Sequence, residues 1–306
     1  MRIRKSLLTL AVLLPFCAAA SAQTTSPTSH AAPHPAHHAT PAVFAPLDQW
    51  RQAVLSGDPA QLANLYSTSP PAQINTGDQT VVNADDDATF WQSWKAKGLT
   101  SIKLEIVQQQ SPTLDERQIF FQTALHFAAQ NGGPQNLFIA TAQYWVRRDG
   151  QWQIATAARG VPARLRQPLN TDNVIYPPDL NARAEIADGL RRAAATKKRV
   201  ILVFGGNWCF DCHVLDEAFH SPEIQPTLAA GFVVVHVNIG RFDKNLDVAE
   251  QYQVPLTKGV PALAVLDATG KLVFSQQGGE FQDARSMAPE DILAFLNKWQ
   301  PPAPAN

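Results

Sequence analysis

The apolar positions of the first large block fall at helical spacing. Leu47, Trp50, Val54 and Leu55 share one helical face. Gly57-Asp58-Pro59 ends that helix and opens a second, which turns Leu62, Leu65 and Tyr66 inward. Asp85, Asp86 and Asp87 place negative charge at the start of a third helix, where the dipole favours it, ahead of Phe90, Trp91 and Trp94. From Ile102 the pattern becomes alternating. Ile102, Leu104 and Ile106 follow it, as do stretches of 117–129 and 137–147. Asp149-Gly150 is a hairpin turn signal before Trp152 and Ile154. Helices followed by a run of antiparallel strands predict an α+β domain over residues 43–165.

The second block is patterned differently. Residues 184–195 read as an amphipathic helix. Val-Ile-Leu-Val-Phe within 199–204 and the Val-rich run 232–237 are continuous, as strands buried on both faces are. A helix follows Cys209, and another spans 246–252. Strands at 262–266 and 272–274 flank the turn Asp267-Ala268-Thr269-Gly270. Pro289, Glu290 and Asp291 open a last helix, with Ile292, Leu293, Phe295, Leu296 and Trp299 inward. This predicts an α/β domain over 179–300. A Pro- and Asn-containing connector, 166–178, precedes it, and a Pro-rich tail, 301–306, follows it.

The N-terminus reads differently again. Arg2, Arg4 and Lys5 precede an apolar run, 7–16, and the small residues Ala20-Ser21-Ala22. This is the pattern of a cleaved export signal over 1–22, with a run too short for a stable membrane span. Phe16 stands before Cys17 where a lipidated cysteine wants a small residue. Residues 23–42 have no large apolar residue and read as a disordered tether. Its His30, His34, His37 and His38 lack a carboxylate or cysteine to complete a metal site. The expected location is the periplasm or the medium.

Composition adds little to this. The chain has 306 residues, 45% hydrophobic, with a formal net charge of −1. That suits two cores and gives no reason to invoke nucleic acid or an anionic membrane surface.

The cysteines change the picture. Of three, removal of the signal leaves Cys209 and Cys212. Domains of this size need no disulfide to hold them together, so the pair points to chemistry. Cysteines at i and i+3 of a helix face the same way and can bridge. A helix N-terminus lowers the pKa of the first. Cys209 is therefore expected as the exposed, attacking sulfur and Cys212 as the resolving one.

The run Val203-Phe204-Gly205-Gly206-Asn207-Trp208-Cys209-Phe210-Asp211-Cys212, with Gly259-Val260-Pro261-Ala262-Leu263 downstream, resembles the thioredoxin superfamily. The resemblance implies a cis Pro261 against the disulfide, Trp208 in the active-site motif, and Val260 offering its backbone to an extended substrate. It implies protein thiol and disulfide substrates and a redox partner protein, with no cofactor and no metal. Residues 212–222 resemble a subgroup with an inserted helical segment. Two departures stand out. Val203 occupies the place of a buried acid, so Asp211, Glu217 or water would have to move the proton. Asp211 also sets a carboxylate beside the thiols, which disfavours a thiolate and predicts a relatively reducing couple.

The first block, closing on Tyr144-Trp145-Val146-Arg147-Arg148-Asp149-Gly150-Gln151-Trp152-Gln153-Ile154, resembles the SnoaL-like, nuclear-transport-factor-2-like families. That implies a cone whose curved sheet encloses a pocket, which His126, Tyr144 and Asp86 could line, and a homodimer through the sheet. Nothing in the spacing assigns a catalytic residue there.

Three other readings remain. Cys209-Phe210-Asp211-Cys212-His213 is also a haem-attachment pattern, although it follows a buried strand rather than sitting in a helical protein. Cys209, Cys212 and His213 or His236 could bind copper or another soft metal, with His236 otherwise a strand residue and His213 a solvent-facing one. The pair could also be an inert disulfide in a binding module.

Overall fold

The computed structural model describes residues 44–78, 80–128 and 135–302. The signal at 1–22, the tether at 23–42 and residues 303–306 lie outside the described residues. Among the described residues, no helix is long and apolar enough to cross a membrane.

The first half opens with helices α1 (Ala45–Ser56), α2 (Pro59–Ala63) and α3 (Ala84–Ala96). Gly57 ends α1 in the left-handed region, φ 75°, where glycine carries no penalty. Asp58 caps α2 by accepting the Ala60 N–H at 2.9 Å, and Asn83 caps α3 by accepting that of Asp86 at 2.9 Å. Strands β1 (Gln73–Thr76), β2 (Val81–Val82), β3 (Leu99–Gln110), β4 (Glu116–Phe127), β5 (Gln135–Arg148) and β6 (Gln151–Arg159) form one sheet in the order β2-β1-β6-β5-β4-β3. β3 to β6 are an antiparallel meander, and β1 adds to β6 in parallel. The sequence reading left out β1 and β2. Ile74 is the lone apolar residue of β1, too little for an alternation.

The helices pack on one face of the sheet. Trp50 meets Trp91 and Phe121 edge-on, at centroid distances of 4.8 and 5.8 Å. These rings, with Trp145, Ile119 and Leu125, fill the side where the resemblance implied a pocket. The expected lining residues are elsewhere. Asp86 is exposed on the first turn of α3. Tyr144 and His126 sit on the opposite face, where His126 Nδ1 lies 2.8 Å from Asn136 Oδ1. The buried acid is Asp87, one residue on. It accepts hydrogen bonds from Tyr66 Oη at 2.5 Å, Trp91 Nε1 at 3.1 Å and Arg159 Nε at 2.6 Å.

The second half holds α4 (Ala182–Thr196), β7 (Arg199–Gly205), α5 (Phe210–His220), α6 (Gln225–Gly231), β8 (Phe232–Asn238), α7 (Leu246–Gln251), β9 (Ala262–Leu266), β10 (Leu272–Ser275) and α8 (Pro289–Trp299). The sheet order is β10-β9-β7-β8, with β8 parallel and β9 antiparallel to β7. Val200, Leu202 and Phe204 face the core that includes α4 and α7. Ile201 and Val203 face that of α5, α6 and α8. Covered on both sides, β7 has to be apolar throughout.

The two halves meet on the outer face of the first sheet. Glu105 of β3 and Gln122 of β4 are buried there. Arg166 Nε and Nη2 each lie 2.7 Å from a Glu105 oxygen, a two-pronged ion pair. Its backbone N–H donates to the Arg285 carbonyl at 3.1 Å, and Gln122 Nε2 donates to the Gln167 carbonyl at 2.6 Å. The chain itself therefore covers part of the sheet face that the sequence reading offered to a second copy.

Candidate active site

Strand β7 delivers the loop Gly206-Asn207-Trp208 to the N-terminus of α5, and Cys209 is the residue that caps this helix. Cys209 and Cys212 are joined as a disulfide, with Cα atoms 5.2 Å apart. The Cys212 N–H donates to Cys209 Sγ at 3.1 Å, and the N–H groups of Cys212 and His213 reach the Cys209 carbonyl at 3.1 and 3.2 Å. The sulfur of Cys209 thus occupies the position of an N-cap oxygen. Negative charge on it would be stabilised by the helix end.

Cys209 is not the exposed sulfur expected from the sequence: it is 5% exposed, and Cys212 is 1% exposed. The loop before β9 lies against Cys209, with the Val260 carbonyl oxygen 3.5 Å from its Sγ. The Val260–Pro261 peptide is cis. What reaches solvent is an apolar rim. Trp208, Phe210, Phe242 and Leu246 are all exposed. Trp208 Nε1 donates to the Gly240 carbonyl at 2.6 Å, its ring lies 5.7 Å from that of Phe242, and the Arg241 guanidinium sits over it at 5.3 Å.

Asp211 does not stand as a bare carboxylate beside the thiols. Its Oδ1 accepts the Arg285 N–H at 3.0 Å, and its Oδ2 lies 3.2 Å from Arg285 Nε. The guanidinium offsets the charge, which removes the electrostatic ground for the reducing couple expected above. Glu217, the other acid considered, is on α5 and points into the junction between the halves. It accepts the N–H groups of Leu169 and Asn170 at 2.6 and 3.2 Å. Burial pushes its pKa up to about 7 in spite of those donors. Val203 is packed with Leu215 and Phe219 in the apolar core.

The histidines near the motif are engaged. His213 is buried, not solvent-facing, and its Nε2 lies 2.8 Å from the Asn207 carbonyl. His236 Nε2 lies 3.3 Å from Asp216 Oδ1, and its ring packs edge-on against Tyr176 at 5.1 Å. Burial raises the Asp216 pKa, but hydrogen bonds from His220 and His236 outweigh it and hold the carboxyl well below its usual range. Of the two histidines that the soft-metal reading offered as alternatives, each has its Nε2 committed elsewhere, and His213 Nδ1 is buried without a partner. Among the described residues no group of three or more His, Cys, Asp and Glu side chains is placed to hold a metal.

Sequence reasoning missed Tyr176, Asn207, Asn238 and Arg285. Tyr176 lies in the segment expected as a connector, yet it is 1% exposed in the core of the second half. Asn207 Oδ1 accepts its N–H at 2.9 Å, and Asn207 Nδ2 donates to its carbonyl at 2.9 Å. Asn238 Nδ2 donates to the same carbonyl at 3.2 Å. The apolar triplet Val174-Ile175-Tyr176, set between polar residues and prolines, was the available signal.

Residues 181–268 match a family described as thioredoxin-like. A disulphide isomerase from Xylella fastidiosa Temecula1 is 34% identical over 41% of this chain and 96% of that one, with a TM-score of 0.40. The first half is similar to an NTF2-like protein from Rhodospirillum rubrum ATCC 11170, with 15% identity, 39% and 97% coverage and a TM-score of 0.30. A ketosteroid isomerase-like protein from Erwinia carotovora atroseptica SCRI1043 is 11% identical, with 40% and 94% coverage and a TM-score of 0.32. No curated protein matches the chain.

Proposed function

Through residues 181–268 the chain belongs to the thioredoxin-like family, and on that premise we propose that it is an exported thiol–disulfide oxidoreductase. Cys209 is the nucleophile and Cys212 the resolving cysteine. The observation that carries this is the Cys209 sulfur in the N-cap position of α5, 3.1 Å from the Cys212 N–H. A thiolate formed there gains a hydrogen bond and the positive end of the helix, which is what an attacking sulfur needs at neutral pH.

The substrate is a protein segment in extended form, which pairs with the backbone at Val260. The rim of Trp208, Phe210, Phe242 and Leu246 favours apolar side chains flanking the substrate cysteine. The 34% identical structure is described as a disulphide isomerase, which supports protein disulfides as the substrate class. The export pattern at residues 1–22 supports an activity in the periplasm or medium, where a redox partner protein would reset the pair. In Cys212→Ser, reduced Cys209 should attack a disulfide of a scrambled, fully oxidised test protein and keep it as a lasting mixed disulfide, visible by intact mass. A Cys212→Ser protein that never forms one contradicts the assignment.

A further inference from the structure

We propose that the Tyr176 hydroxyl is the hydrogen-bond donor that stabilises the Cys212 sulfur once the disulfide opens, an inference that rests on the redox reading of the pair.

Tyr176 is fixed from the loop that carries the cysteines. Both of its backbone groups are held by the Asn207 side chain, two residues before Cys209, and its carbonyl also by Asn238. Its ring is wedged against His236. Its Oη is buried and has no hydrogen-bond partner in the protein. A buried hydroxyl left unpaired is costly, and a structure that places one so firmly invites the question of what it pairs with in another state.

Gly205 shows where it points. A Cβ at that position would meet the Tyr176 Oη and, 2.7 Å away, the Cys212 Sγ. Hydroxyl and sulfur therefore border the same small space at the end of β7, which glycine leaves open. In the disulfide the Cys212 sulfur is neutral and bonded to Cys209. In the reduced protein it is a free thiol or thiolate, a far better acceptor, and the hydroxyl gains its partner.

The hydroxyl acts as a donor only. Burial, and then the Asp216 charge, push the Tyr176 pKa well above its usual value, so the phenol keeps its proton. The reaction balances without it changing state. The Cys209 thiolate attacks a substrate disulfide, forming one S–S bond and releasing the first substrate thiolate. The Cys212 thiol then gives up its proton, and its sulfur attacks Cys209 Sγ. The Cys209–Cys212 bond forms, the mixed disulfide breaks, and the second substrate thiolate leaves and takes up that proton. The substrate disulfide is reduced by two electrons and the dithiol is oxidised by two. Tyr176 stabilises the Cys212 thiolate in the second attack.

The test uses the full mature chain and Tyr176→Phe, with glutathione disulfide as the probe. Phe keeps the ring and removes a hydroxyl that is unpaired in the oxidised protein, so oxidised Tyr176→Phe should unfold at no lower temperature than wild type. Attack by Cys209 should keep its rate. Resolution by Cys212 should slow about tenfold, with the Cys209–glutathione adduct accumulating by intact mass. The equilibrium should move toward the disulfide by up to about tenfold, about 30 mV more reducing. Resolution and equilibrium both within twofold of wild type would overturn the role of Tyr176 and leave the redox reading intact. A wild-type protein that forms no adduct and no disulfide with glutathione would overturn both.

Discussion

Arg285 meets Asp211 twice, with its backbone N–H at 3.0 Å and its Nε at 3.2 Å. Asp211, one of the two residues between the cysteines, is thereby tied to the loop before α8. The Arg285 carbonyl in turn accepts the N–H of Arg166, whose guanidinium holds Glu105 of the first sheet. A continuous path of polar contacts connects the active-site motif to the N-terminal half.

The first prediction concerns charge at the thiols. In Arg285→Ala the Asp211 carboxylate loses its counter-charge and the Cys209 pKa should rise by about one unit. Adding Asp211→Asn should bring it back. Alkylation of the reduced protein as a function of pH reads both. A Cys209 pKa unmoved by Arg285→Ala would mean that the sulfur does not sense this carboxylate.

The junction supplies the second. Glu105 and Arg166 are both buried, so Arg166→Ala leaves a carboxylate without its partner and should cost about 3–5 kcal/mol in denaturant unfolding. Replacing both, with Glu105→Gln and Arg166→Met, should cost clearly less. Equal losses would place the stabilisation in packing rather than in the ion pair.

The third separates two adjacent aspartates. Asp87→Ala strands the Tyr66 hydroxyl, the Trp91 N–H and the Arg159 guanidinium, and should destabilise by about 3–5 kcal/mol. Asp86→Ala, on the exposed side of the same helical turn, should stay within about 0.5 kcal/mol. Thermal melts of the two variants check the contrast.

The contrast also shows where sequence reasoning stops. Three consecutive aspartates mark a helix start, and that much was legible. Which one turns inward depends on the angle at which α3 meets the sheet, and composition does not carry that angle. The strands of the meander and of the α/β half were legible because alternation and continuous apolar runs follow directly from one-sided and two-sided burial. β1 and β2 were not, because they are short and half polar. The cysteines were legible from their spacing. The long-range partners that surround them were not. Tyr176 and Arg285 reach the site from 33 residues before and 76 residues after Cys209 in the numbering. Neither belongs to a local motif.

A fourth prediction follows from Glu217. Its ordinary pKa of 4.5 is raised by burial to about 7 in the folded protein. Below 4.5 both states hold the proton. Between 4.5 and 7 the unfolded chain releases it and the folded protein keeps it, so stability falls as pH rises and levels off above 7. Glu217→Gln keeps an oxygen for the Leu169 N–H and cannot ionise. It should flatten that slope and gain on the order of a few kcal/mol at pH 8 relative to wild type. Parallel stability–pH curves for the two proteins would contradict a protonated, buried Glu217.

The central claim is that Cys209 and Cys212 form an exchangeable couple. Equilibrating the mature protein in a series of glutathione or dithiothreitol redox buffers, quenching by alkylation and weighing the intact chain tests it most directly. The account predicts a reversible two-electron transition at roughly −120 to −270 mV, the span of thioredoxin-fold oxidoreductases. A disulfide that stays closed through that whole span, or a pair that never closes, would contradict it.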